Sequence, residues 1–177
     1  FRFTGSTIME LLWEAHLQLN KARKRSSLPT LFNQETKKYP VPRLKVHSLE
    51  NAYAQMELLG FPLQSPFGML KDAIGDPLLA GHLPFKKGEK VSIVGYLVHR
   101  KRTSTSGGQQ MYFGTWLDLA GEWLDSVHFP LVAAAYPFTG PGCYRINGTV
   151  SEEFGFVTID VESMYRMPYR SLDDEDE

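Results

Sequence analysis

Residues 91–130 read VSIVGYLVHRKRTSTSGGQQMYFGTWLDLAGEWLDSVHFP, and the fold turns on how this stretch divides. Three runs rich in β-branched and aromatic residues, 91–101, 111–119 and 122–130, are joined first by a loose TSTSGGQQ and then by a tight Ala-Gly turn. Two more follow, CYRINGTVS at 143–151 and FVTIDVESMY at 156–165, linked by a hairpin through Glu152, Glu153 and Gly155. The joint before them, LVAAAYPFTGPG, is long enough for a short helix. Five strands with an insert between the third and fourth predict a mainly β chain built on an OB-fold barrel. In that fold the second and third strands, with the loops beside them, bind oligonucleotides. A five-stranded barrel of another strand order is the alternative, since pairing order is not written in a single sequence.

Ahead of the barrel the pattern is helical. Thr7 and Glu10 have capping-box spacing, and Ile8, Leu11, Leu12, Ala15 and Leu19 recur at helical intervals up to the basic end Lys21, Arg23, Lys24 and Arg25. Residues 26–47 hold three prolines and no sustained period, which reads as an extended linker broken only by SLPTLF at 27–32. A second helix is expected over 48–59, with Leu49, Ala52, Tyr53, Met56 and Leu59 on one side and Gly60 and Pro62 as the stop. Ser65, Pro66 and Phe67 then open a short helical turn. The expected division is therefore a helix in 1–25, a linker in 26–47, a small α-helical connector in 48–84, the OB-fold barrel in 85–168 and an acidic, disordered tail in 169–177.

A chain of 177 residues with 42% hydrophobic content can bury one core with a smaller appendage. The net charge of −1 hides segregation: residues 173–177 are all acidic, whereas 86–102 carry six Lys/Arg against Glu89 alone. The single Cys143 excludes an intrachain disulfide and fits a reducing compartment. With no bilayer-length apolar run and no secretory signal pattern, no membrane association and a cytoplasmic location are the simplest expectations. The chain opens on Phe1 in FRFTGST and reads as a piece of a longer protein.

Alternation can be used to sort the barrel residues. If Phe113, Leu117, Val127, Phe129, Ile146, Val157, Ile159 and Val161 face inward, then Tyr112, Trp116, Ser126 and His128 face outward. Tyr112 and Trp116 would then be stacking platforms for unpaired bases, with His128 beside them. Arg100, Lys101 and Arg102 at the end of the first strand would neutralise phosphates, and the flexible loop behind them would let them close on a strand. The competing reading packs the two aromatics beneath the preceding helices and leaves the cations solvated, because a one-residue change of register exchanges the faces. A hydrolytic or metal cluster of Asp118, Asp125 and His128 lacks tight ligand spacing, and turn caps on solvated faces are the simpler assignment. No metal or cofactor is expected.

Taken together, NAYAQMELLGFPLQSPFGML and the run from Gly88 to Pro130 resemble the C-terminal region of the bacterial replicative DNA polymerase III alpha subunit. The residues carrying the likeness are Glu57, Leu59, Gly60, Phe61, Ser65, Met111, Phe113, Thr115, Asp118, Gly121, Val127, Phe129 and Pro130, and it spans roughly 48–165. FRFTGS is similar to the exit of that family's helix-hairpin-helix region. The family also carries a sliding-clamp motif, Q-x-x-[LM]-F, ahead of the OB-fold. Leu28, Leu31 and Phe32 stand in the matching place, with Leu28 where Gln is usual. That Leu-Phe pair could enter a clamp pocket or pack on the second helix. The resemblance implies a non-catalytic portion of a DNA-directed DNA polymerase that holds single-stranded template DNA, with the sliding clamp and other replisome subunits as partners. The alternative is a protein-interaction module for the clamp or another subunit.

Overall fold

The computed structural model describes residues 5–23, 47–153 and 155–172; residues 24–46, and with them Leu28, Leu31 and Phe32, lie outside these, as do 173–177. Helix α1 spans Ile8–Arg23, entered through the expected capping box: the Thr7 amide donates to Glu10 Oε2 at 2.8 Å and the Glu10 amide to Thr7 Oγ1 at 3.2 Å. Helix α2, Glu50–Leu59, ends at Gly60, whose φ of 84° lets its amide cap the Met56 carbonyl. Short 3₁₀ turns follow at Pro66–Met69 and Ala80–Phe85.

The barrel consists of β1 (Lys90–Ser104), β2 (Gln110–Leu117), β3 (Trp123–His128), β4 (Cys143–Glu153) and β5 (Phe156–Arg166), with helix α3 (Pro130–Ala135) inserted between β3 and β4. It closes in the order β1-β2-β3-β5-β4, antiparallel except for the parallel β3–β5 pair. This is the OB-fold expected from the strand spacing. β1 is long because it serves two ladders, pairing β4 through Lys90–Tyr96 and β2 from Tyr96 to Ser104. Two irregularities shape it. Val98 is an extra residue between Leu97 and His99, and β4 breaks register at Asn147/Gly148, where a Cβ on Gly148 would lie 2.3 Å from the Asp160 carbonyl oxygen.

The interior is filled by Ile93, Leu97, Trp116, Leu124, Tyr144, Ile146, Val150, Ile159 and Val161. Here the structure corrects the alternation on β2 and β3. Trp116, Ser126 and His128 have no exposed surface, whereas Phe113 and Phe129, expected inside, are 41% and 47% exposed. The expected interior positions of β4 and β5, Ile146, Ile159 and Val161, are buried. The reason lies in volume. Gly114 and Ser126 stand opposite each other on the inner face, and a Cβ on Gly114 would come within 2.8 Å of Trp116 Nε1, so the indole fills the space that these small residues leave.

The connector covers one outer flank of the barrel. Leu70 and Met167, with Phe67, Ile74, Leu119 and Tyr169, pack over Val94, Tyr96 and Cys143 of β1 and β4. Cys143 is sealed there, and burial pushes its thiol up to about 11, which leaves it unreactive. The β2–β3 turn is held by buried Asp118. Its Oδ2 accepts the Ala80 amide and its Oδ1 the amides of Ala120 and Glu122, each at 2.8 Å, while Gly121 takes a φ of 82°. Replacing Asp118 with Ala removes the acceptor of three amides, so Asp118→Ala should lower the unfolding free energy by about 3 kcal/mol, read from urea denaturation.

Candidate nucleic-acid interface

One outer flank that the connector leaves bare is formed by the second half of β1 with β2 and β3. Cross-strand partners share a face, so the register lays out its rows. Lys101, Phe113 and Val127 form the central row. Thr103 and Met111 lie to one side of it, continued by Phe129 just past the end of β3, and His99, Thr115 and Asp125 lie to the other. Leu117 and Trp123 close the face at the β2–β3 turn. Three aromatics are therefore presented outward, Phe113, Phe129 and Trp123, the last 63% exposed. Phe129 stands diagonal to Phe113, a separation of roughly 7–8 Å between such positions.

The basic stretch 86–102 splits into two populations. Lys86 pairs with Glu89, Lys87 with Glu152 and Lys90 with Glu162, so this half is structural surface. Among the described residues Arg100, Lys101 and Arg102 have no acidic partner. They also point two ways: Lys101 shares the outer row of Phe113, whereas Arg100 and Arg102 pair with Gly114 and Tyr112 on the opposite side. There the Arg100 guanidinium lies 5.8 Å from the centre of the Phe138 ring. Acidic groups on the outer face sit toward β5, where Asp125 accepts from Thr115 Oγ1 and Asp160 from Ser151 Oγ. The cation Lys101 thus lies on the β1 side of the face and these acidic groups lie toward β5.

Of the aromatic and histidine candidates, Tyr112 is partly buried against Phe138, with ring centres 5.7 Å apart, and Trp116 and His128 are interior. The structure gives Trp116 and His128 a different task. Trp116 Nε1 donates to Ser126 Oγ at 2.7 Å, and His128 Nε2 lies 2.9 Å from the same oxygen. The Ser–His spacing imitates a nucleophile and its base, but neither side chain reaches solvent. Asp125 and His128, three apart on β3, point to opposite faces, so they do not converge with Asp118 on one site. Among the described residues no cluster of His, Cys, Asp and Glu could hold a metal ion, and no helix is long and apolar enough to cross a membrane. Phe113, Phe129 and Trp123 escaped the sequence reading as surface groups. The signal present was the small pair Gly114 and Ser126, in alternation with Trp116 and not with Phe113.

No protein-family model matches the chain, and no curated protein matches it. Among solved structures, a lipoprotein of Klebsiella pneumoniae to which nucleic-acid binding has been ascribed superposes with a TM-score of 0.36 at 18% identity, covering 46% of this chain and 73% of that one. A superposition that loose carries nothing about function across.

Burial lowers the His128 imidazole from 6.5 to about 4, so the folded barrel holds the ring neutral. The unfolded chain takes up this proton first as pH falls. The contribution is therefore complete above pH 6.5 and drains away as pH drops toward 4, by about 3 kcal/mol in all. Unfolding free energies measured between pH 7 and pH 4 should fall less steeply in His128→Phe than in the unaltered protein.

Proposed function

We propose that this protein binds single-stranded nucleic acid across the uncovered outer face of β1, β2 and β3. The observation that carries the reading is the exposed Phe113, Phe129 and Trp123 set beside Lys101, a cation without an acidic partner among the described residues. Aromatic rings of this kind stack on any base, and a lysine in the same row neutralises the phosphate between stacked bases. The β1–β2 loop, tied at its base by the Thr105 amide donating to the Gln109 carbonyl, borders the face. Duplex is a poorer ligand, since its bases are already stacked.

The finer form of the proposal takes the strand to be template DNA and the chain to be the template-holding portion of a polymerase III alpha subunit. Its support is the likeness of residues 48–165 to that family. Two of the likeness residues, Asp118 and Gly121, form the capped β2–β3 turn, and Phe113 lies at the centre of the exposed face. In that setting this chain contributes positioning and the upstream portion contributes the catalytic carboxylates. Tethering to a sliding clamp through Leu28, Leu31 and Phe32 belongs to the same proposal. A second reading, contact with a protein subunit, is favoured by one feature. A cavity of about 610 Å³ beyond the Leu117 end of the face is walled by Phe61, Pro62, Phe67, Val98 and Leu119, with no basic residue in its lining.

Fluorescence anisotropy of a labelled single-stranded oligonucleotide tests the interface. Phe113→Ala and Trp123→Ala should each weaken binding about 5- to 100-fold. Lys101→Ala should reduce the slope of log affinity against log salt by about 0.7. Trp116→Ala should instead lower stability by about 3–5 kcal/mol. Binding that survives all three surface substitutions unchanged would overturn the proposal.

A further inference from the structure

The geometry points to a pocket for one nucleotide unit of the bound strand, beside the β1 bulge and distinct from the stacking face; the inference rests on the single-strand reading above. A cavity of about 280 Å³ is lined by Leu97, Val98, His99, Arg100, Phe138, Gly140 and Pro141. Its size suits a single planar ring system and excludes a stacked pair. The lining combines apolar surface from Leu97, Val98 and Pro141 with the Arg100 guanidinium, a planar donor able both to stack on a base and to hold its phosphate.

The pocket is also preorganised. Phe138 is stacked on buried Trp116, with centroids 5.8 Å apart and planes 22° apart. The turn after it is pinned from within the barrel, because the Tyr144 hydroxyl donates to the Gly140 carbonyl at 2.6 Å and accepts the Thr139 amide at 3.0 Å. On the far wall the Leu97 amide donates to the Gly142 carbonyl at 2.9 Å, which fixes the bulge against the same loop. His99 belongs to both places: it lines the pocket and, through its pairing with Thr115, borders the outer face. A strand running past Lys101 toward His99 reaches the bulge, where one base can leave the stack and enter the cavity with its phosphate on Arg100. No acidic side chain lines the pocket, so nothing there opposes an anion.

Deoxythymidine and deoxyadenosine monophosphate, titrated into the isotope-labelled protein and followed by NMR, test the pocket apart from the face. Shifts are expected at the Leu97 and Val98 methyls and the Gly140 amide. They should be absent with deoxyribose 5-phosphate, which lacks the base, and Arg100→Ala should weaken the mononucleotide about tenfold. Phe113→Ala should leave mononucleotide affinity unchanged while lowering that of the oligonucleotide. Equal shifts from deoxyribose phosphate, or shifts indifferent to Arg100→Ala, overturn the pocket and leave the interface standing. Loss of mononucleotide affinity in Arg100→Ala with no change for the oligonucleotide assigns the site to free nucleotide and overturns its place on the strand path. Failure of the unaltered protein to bind any oligonucleotide overturns both readings.

Discussion

The indole of Trp116 occupies the barrel interior, and the exposed chemistry of β2 and β3 follows from that placement. Its N–H needs an acceptor once water is gone, and Ser126 supplies one across the ladder. Its bulk needs a void, and Gly114 supplies that. Because side chains alternate along a strand, fixing Trp116 inward fixes Phe113, Thr115 and Leu117 outward, and the register with β3 then turns Trp123, Asp125 and Val127 the same way. The aromatics on the candidate interface are thus the geometric complement of a core decision made on the other side of the sheet.

That decision matters because the flank to which it sends these side chains is not covered by the connector. The connector and the segment after β5 close over Val94, Tyr96 and Cys143, so apolar side chains facing outward there are core in their own right. No such cover is packed on Phe113, Phe129 and Trp123, which keep between 41% and 63% of their surface exposed. Three large aromatics on one uncovered face are costly in water and unnecessary for the barrel, whose interior is already filled. Such a surface is better explained by a ligand that covers it than by folding.

The strands, their boundaries to within a few residues and the closed barrel were legible because turn residues and β-rich runs are local signals. The capping box at Thr7 and the Gly60 stop were legible for the same reason. The faces of β2 and β3 were not, since QMYFGTWL is apolar at both parities and alternation alone cannot choose between Phe113 and Trp116. What breaks the tie is partner volume and hydrogen bonding, Gly114 and Ser126 opposite each other beside an indole, and that information becomes readable only once β2 is paired with β3. His128 followed Trp116 inside because it shares the parity of Ser126. The Arg100 pocket was hidden for a related reason, since Phe138 and Gly140 reach it from an insert whose path the strand pattern does not specify.

The basic triplet shows how one extra residue can send to different faces side chains that a sequence places side by side. Leu97 faces inward, and simple alternation would send Lys101 inward and Arg100 outward. Val98, bulged out between Leu97 and His99, advances the count by one, so Lys101 joins Phe113 on the open face while Arg100 turns to Phe138. The bulge can be tolerated at this point because the β4 ladder has ended at Tyr96, so from Val98 onward β1 answers to β2 alone and the Leu97 amide is taken by Gly142. Three consecutive cations are therefore divided between surfaces: Lys101 stands on the open face beside Phe113, and Arg100, set over the Phe138 ring, lines the cavity on the other side. For the proposed binding of a single strand, lysine and arginine suit these two places, since a point charge follows a mobile backbone and a planar fork recognises a positioned one.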